Sequence, residues 1–278
     1  FISVMFQQFY NIADSSIAGR FAGEDALAAV GASYPITVIF MAFAVGSNLG
    51  ASVVVSRLFG AKDIGRMKTA VYTAFIACGA MSLILTVLGY AFCGDMMRLI
   101  HTPDNIFADG ELYLKIYVYG LTFLFLYNVC TGIFTALGDS RTPLYLLIFS
   151  SILNVVLDII SVTWLGMGVD GVAIATVMAQ GISALISFGL LLRKLKGYER
   201  AQEDGFRFYD RAMLGSGTRI AVPSILQQSI VSIGMLLVQS VVNGFGSAAL
   251  AGYSAGSRIE SICVVPMIAT GNAVATFT

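Results

Sequence analysis

"SSILNVVLDIISVTWLGMGVDGVAIATVMAQ", residues 150–180, decides how the rest of the chain is read. Two apolar runs flank the Gly-rich turn "GMGVDG", and Asn154, Asp158 and Thr176 stand inside those runs. A short turn of this kind joins antiparallel neighbours, so the stretch predicts two helices returning on each other. The apolar runs extend to about 143 and about 193, long enough at 1.5 Å per residue for ~30 Å of hydrocarbon. The chain as a whole supports that solvent. It is 57% hydrophobic and only 12% charged over 278 residues, with a mean hydropathy of +0.83. A soluble domain carries roughly twice that share of charge. The fold class is therefore an all-α polytopic membrane protein.

Eight apolar segments can be read outward from this pair, at about 1–21, 33–57, 69–93, 112–137, 143–165, 169–193, 213–243 and 248–278. Pro143 follows the polar turn "GDSRT" and suits the first turn of a helix. Pro223 and Pro266 fall inside spans and are expected to kink them. The chain opens on Phe1 and closes within an apolar run, so it is expected to be part of a longer protein. Arg57, Lys62, Arg66 and Lys68 follow the second span, and Arg141 follows the fourth. Arg193, Lys194, Lys196, Arg200, Arg207 and Arg211 follow the sixth. The opposite linkers offer Arg20, Arg98 and Lys115. The positive-inside rule then makes the basic linkers and the N-terminal side cytoplasmic. Acids are interspersed and no aromatic platform is near, so nucleic acid is not an expected partner.

The sequence also repeats itself. "QQFYNIADSSIAGRFAGEDALAAVGAS" from residue 7 resembles "QQSIVSIGMLLVQSVVNGFGSAALAGYSA" from residue 227. The offset is six spans, as in a transporter built from two parallel halves. This predicts a six-helix lobe over 1–195, a cytoplasmic linker over 196–211 and the first two helices of a second lobe over 212–278.

Asp158 lies about seven residues, ~10 Å, from the outer end of its span, and so does Asp14 from the outer end of the first. Thr176 enters the sixth span at the same depth. Tyr10 precedes Asp14 by four residues and Asn154 precedes Asp158 by four, so each pair shares a helical face. Asp14 has the alternative of snorkelling to the interface, and Asn154 and Thr176 that of joining helices by hydrogen bonds. Two acids at one depth in apolar helices nonetheless point to a pocket, because such residues are rare there and costly. Neighbouring buried carboxylates share protons as a unit. With hydroxyl and amide oxygens they could equally hold sodium.

Other chemistry finds little footing. Cys78, Cys93, Cys130 and Cys263 stand apart and read as small packing residues, and the lone His101 builds no metal cluster. No cofactor is implied beyond the coupling ion, and no GxxxxGK[ST] motif occurs. The seventh span has no Asp or Glu from Arg211 to Asn243, and Arg258 and Glu260 in the eighth read as outer-side structural ion-pair residues toward other helices, with a functional role in the second lobe as the alternative.

At these residues the chain resembles the multidrug and toxic compound extrusion (MATE) family. The resemblance rests on the 7–31 stretch, "GASVVVSRLFGAKD", "TALGDSRTPLY" and the segment around Asp158. It implies a two-lobe fold of six-helix bundles, of which about eight transmembrane helices lie here. It further implies a monomeric antiporter in the cell membrane, exporting small, mostly cationic organic compounds against protons or sodium. Tyr10, Asp14, Asn154, Asp158 and Thr176 match the coupling pattern of one branch of the family. A related lipid-linked precursor flippase is an alternative, though it calls for intramembrane Lys or Arg that the first lobe lacks. An intramembrane aspartyl protease is another. Its faint motif ends at Asp139, where helix capping is the better account.

Overall fold

The computed structural model describes residues 24–99, 104–198 and 207–243, together with 264, 267, 270, 271 and 274. The first span, most of the eighth, His101, Cys263, Pro266, Arg258 and Glu260 lie outside the described residues. Among the described residues the regular structure is helical: α1 (Glu24–Gly60), α2 (Ile64–Leu99), α3 (Asp104–Tyr119), α4 (Leu121–Ala136), α5 (Arg141–Ile159), α6 (Val169–Gly197) and α7 (Arg211–Asn243).

Four stretches are long and apolar enough to cross a bilayer: 33–60, Ile64–Leu99, Arg141–Trp164 and Val169–Gly197. α3 and α4 qualify together as one broken span, bent by 49°. The sequence reading made this a single span over 112–137. The bend sits at Gly120, where the intrusion comes from another helix: a side chain there would stand 2.6 Å from Val177 Cγ2 of α6. α1 likewise begins at Glu24, well before position 33, so Pro35 falls inside it. α7 runs 33 residues with Pro223 inside, as expected.

The sorting of side chains fits hydrocarbon as the solvent. Leu83, Ile84, Val87 and Leu88 of α2, Ile152 and Val156 of α5, and Leu185 and Ile186 of α6 point outward. Ser82, Ser151, Ser183 and Ser187 are buried. Without a hydrophobic drive between helices, small and polar residues belong at helix contacts and large apolar ones face lipid. α4 is the interior helix. Its Leu121, Phe125, Val129, Ile133 and Phe134 are buried in a core shared with α1, α2 and α6. Cys78, Cys93 and Cys130 are buried free thiols, as their scatter suggested.

One end of the bundle gathers the basic linkers, and its turns follow a common plan. α4 closes with Gly138 at φ 78°, its N–H bonded to the Thr135 carbonyl and that of Asp139 to Phe134. α1 closes the same way with Lys62 at φ 58°, bonded to Phe59, and Asp63 bonded to Leu58. Such ends satisfy the last helical carbonyls, at some steric cost when the left-handed residue is not glycine. An aspartate then starts the next helix each time. Asp63 accepts from the Arg66 N–H, and Asp139 from the Thr142 N–H and hydroxyl. Asp210 accepts from the Ala212 and Met213 N–H groups. The capping role expected for Asp139 is therefore what the structure shows.

The segment leading into α7 is fastened to α2. Thr69 and Thr73, one turn apart, accept the backbone N–H groups of Arg207 and Asp210 at 2.9 and 3.1 Å. The Tyr72 and Phe208 rings meet edge to face at 5.6 Å. α7 then lies along α1 through small residues. A side chain at Gly50 would stand 2.6 Å from the Gly217 carbonyl oxygen and 2.9 Å from Ala221 Cβ.

Candidate functional site

α5 and α6 are antiparallel neighbours, joined by the Gly-rich turn, and their polar residues meet inside the contact. Asn154 and Asp158 lie one turn apart on the inner face of α5, only 2% and 1% exposed. That exposure rules out lipid and bulk water as their surroundings. Asn154 Nδ2 donates to Thr176 Oγ1 at 3.4 Å, and the Thr176 hydroxyl donates in turn to the Val172 carbonyl at 3.0 Å. The threonine proton is held by its own helix, which leaves the hydroxyl oxygen as the acceptor facing α5. The expected juxtaposition of Asn154 and Thr176 is present, with Asp158 on the same α5 face. Tyr10 and Asp14, the other two residues of the expected set, lie outside the described residues.

The backbone changes immediately beyond Asp158. From Ile160 to Trp164 the helix widens into a π turn, closed by Leu165 N–H to the Ile160 carbonyl at 3.1 Å. Single π turns inside α-helices often accompany functional sites, because one extra residue re-aims the side chains around it. Here the turn also carries the buried Ser161, which sits one turn past Asp158. Among the described residues no three His, Cys, Asp or Glu side chains come close enough to hold a metal ion. Among the described residues, the oxygens a cation could draw on here are the Asp158 carboxylate, the Asn154 amide and the Thr176 hydroxyl, donors that suit hard ions.

A second polar region went unread in the sequence. Between α1, α4 and α7 lies a cavity of about 630 Å³, touched also by Gly271. Its wall includes Asn48, Ser52 and Ser56 of α1, Thr131 and Thr135 of α4, and Ser224, Gln227 and Gln228 of α7. Asn48 Oδ1 is buried against α4 with no hydrogen-bonding partner among the described residues, and any side chain at Gly132 would collide with it. The available signal was the four-residue spacing Asn48–Ser52–Ser56, repeated by Thr131–Thr135. Such residues are common in membrane helices and drew no attention singly.

At the basic end, outside the spans, Asp139 joins two turns. Lys194 Nζ of α6 donates to its Oδ2 at 2.6 Å while lying 5.6 Å from the Phe134 ring centroid. Burial pushes the Asp139 carboxyl up. The Lys194 hydrogen bond and the two bonds from Thr142 outweigh it and hold the pKa at about 2. That aspartate is structural, which leaves the protease reading without its motif.

Comparison with known proteins agrees with this architecture. The probable multidrug resistance protein YoeA of Bacillus subtilis is 31% identical over 99% of this chain and 61% of its own length. A FAD transporter of Shewanella oneidensis is 25% identical over 99% of this chain and 61% of its own. The solved structure of a multidrug resistance MATE family transporter in an outward-facing conformation superposes with a TM-score of 0.86 at 26% identity. That match covers 99% of this chain and 60% of the other. The chain thus spans about three fifths of the proteins it matches. The MatE family model matches residues 1–160 and 223–278, taking in the helix that bears Asn154 and Asp158. With sequence and all-helical membrane fold in agreement, the chain belongs to the MatE family.

Proposed function

We propose that the whole protein is a secondary antiporter. It exports small organic, mostly cationic compounds from the cell, in exchange for protons or sodium. The observation that carries this reading is the Asp158 carboxylate, 1% exposed within an apolar helix, beside an Asn154–Thr176 hydrogen bond to a second helix. An acid in such a place is costly unless it works, and exchange of a small cation is the work it fits. Protonation, or sodium uptake, changes the charge of a group wedged between α5 and α6. Packing of the two helices around it then differs between the loaded and empty states, and differential affinity of that kind is sufficient for coupling. Tyr10 and Asp14 complete the proposed set from the first span. The basic end faces the cytoplasm in this reading, by the positive-inside rule, and the protein works as a monomer in the cell membrane. Residues 1–195 form the first lobe, 196–211 the linker and 212–278 the start of the second.

Names of relatives support the reading, since multidrug resistance or multidrug export recurs among them. The test is export of ethidium by cells carrying the full-length protein, under imposed pH gradients with and without sodium. Asp158→Asn should abolish export while membrane insertion persists. Unimpaired export by that variant would remove the pocket from the mechanism. Export of FAD in place of the dye would assign the chain the cargo named for its Shewanella relative.

A further inference from the structure

We infer that an apolar groove between α1, α2 and α7 seats one acyl chain of an anionic phospholipid, with the lipid phosphate over Arg207 and Arg211 at the basic end of the bundle. The groove encloses about 330 Å³ and shares no lining residue with the polar cavity against α4. Small side chains open it. Ala70, Ala74, Ala77 and Ala80 recur along α2 at helical spacing, and Gly50 of α1 meets Gly217 of α7. Its rim carries larger residues, Ile84 of α2 and Val222 of α7, and both are exposed. In a bilayer such a rim faces hydrocarbon, so lipid chains are the solvent that meets the groove. Its length suits one of them. The α2 wall from Ala70 to Ile84 rises about 21 Å, and the α7 wall from Met213 to Ile225 about 18 Å. One leaflet is half of a hydrocarbon layer of about 30 Å. A chain entering from the basic end can therefore lie in the groove over its full depth.

The head of the groove supplies the charge. Thr73 lines it and also accepts the Asp210 N–H at 3.1 Å, so the segment leading into α7 crosses its basic end. Arg207 is held there through its N–H to Thr69, and Arg211 opens α7; both side chains are exposed. Arg211 also shares a helical face with Leu214 and Thr218, which line the groove. The described acids of this end are committed elsewhere. Asp210 turns to the Ala212 and Met213 N–H groups, Asp63 faces Arg66 at 3.8 Å, and Asp139 holds Lys194. Between the two arginines, Phe208 and Tyr209 are 69% and 46% exposed, aromatic rings of the kind that settle at headgroup level. Guanidinium forks match phosphate oxygens, and the positive end of the α7 dipole adds to them. A zwitterionic headgroup brings its own cation to this place, whereas an anionic one does not. The inference needs only a membrane around the bundle and is independent of the antiporter reading.

The test uses the full-length protein, purified and reconstituted in phosphatidylcholine nanodiscs. A small fraction of phosphatidylglycerol carries a photoactivatable diazirine in one tail. Irradiation and peptide mass spectrometry should place adducts within 70–84 and 213–225. Arg207→Gln with Arg211→Gln should lower their yield at least about tenfold, the scale of removing two basic residues beside an anionic lipid. Arg207→Lys with Arg211→Lys should keep the yield within about threefold of wild type, because Lys retains the charge. Phosphatidylcholine bearing the same diazirine should label these residues about tenfold less. Ala77→Phe fills the groove and should remove the adducts with either headgroup. If that variant fails to insert, the arginine pair on the exposed segment carries the test alone. Labelling indifferent to headgroup, or unchanged by the glutamine pair, would overturn the inference. So would wild-type protein without adducts in the groove, the outcome if another segment of the full-length chain or a second copy covers it.

Discussion

The α5–α6 contact and the α1–α4–α7 cavity handle polarity in opposite ways. At the first, one carboxylate is sealed in, with Asn154 and Thr176 already bonded across the helices. At the second, several neutral oxygens line a space of about 630 Å³ and no charge is fixed among the described lining residues. A sealed acid can hold a proton or a bare ion and little else, whereas a wide neutral wall can hold many shapes weakly. In the antiporter proposed above, the contrast would let one membrane bundle be strict toward its driving ion and tolerant toward its cargo.

The sharpest way to break that division is to neutralise the acid. Asp158→Asn should lower dye export by at least about a hundredfold, the effect of losing an interaction of about 3 kcal/mol, while dye binding is retained. If binding falls in parallel with export, the two regions are one site and the comparison collapses.

Next in size is the seam that holds two walls of the cavity together. Gly50→Leu forces a side chain onto the Gly217 carbonyl, and overpacking of this kind costs about 1–3 kcal/mol. Thermal unfolding in detergent should show a lower Tm, and transport of every substrate should fall together. Selective loss for one dye would mean that Gly50 touches cargo.

Thr176→Val removes the acceptor that holds the Asn154 amide. It should leave maximal export within about threefold of wild type and displace its pH or sodium dependence, since one neutral hydrogen bond contributes about 1 kcal/mol. A pH and sodium profile that superposes on wild type would show the Asn154–Thr176 bond to be helix packing alone.

The smallest effect belongs to a place that neither region touches. Asp139→Asn removes the Lys194 pair and weakens the α5 cap, so stability should fall by about 1 kcal/mol with transport unchanged. The pH dependence has a definite sign. Asp139 titrates in the folded protein at about 2, below the ordinary value of about 3.9, so its contribution is complete above about pH 4. It is lost as pH falls through about 2. A stability difference between wild type and variant that persists unchanged below pH 2 would contradict this assignment.

Much of this was legible in the sequence, and for identifiable reasons. Hydrocarbon demands long apolar runs, so the helices holding residues 143–165 and 169–193 stood where hydropathy put them. The Asn154–Asp158 face and the partner Thr176 followed from helical spacing and a common depth. The bend at Gly120 did not, because composition runs smoothly through it and the intruding Val177 belongs to a helix 57 positions on. Lys62 in a left-handed turn was hidden for a similar reason: its neighbours form the same end that Gly138 forms openly. The polar wall of the cavity was illegible because serine and threonine that bond their own helix look alike whether they face lipid, protein or a cavity. Only the convergence of three helices distinguishes them.

The central claim, that Asp158 exchanges a positive ion during transport, is tested most directly by infrared difference spectroscopy on the full-length protein in membranes. Adding a transported dye should perturb a carboxyl band that Asp158→Asn removes. A dye that is bound and exported without perturbing any band sensitive to that substitution would contradict the account.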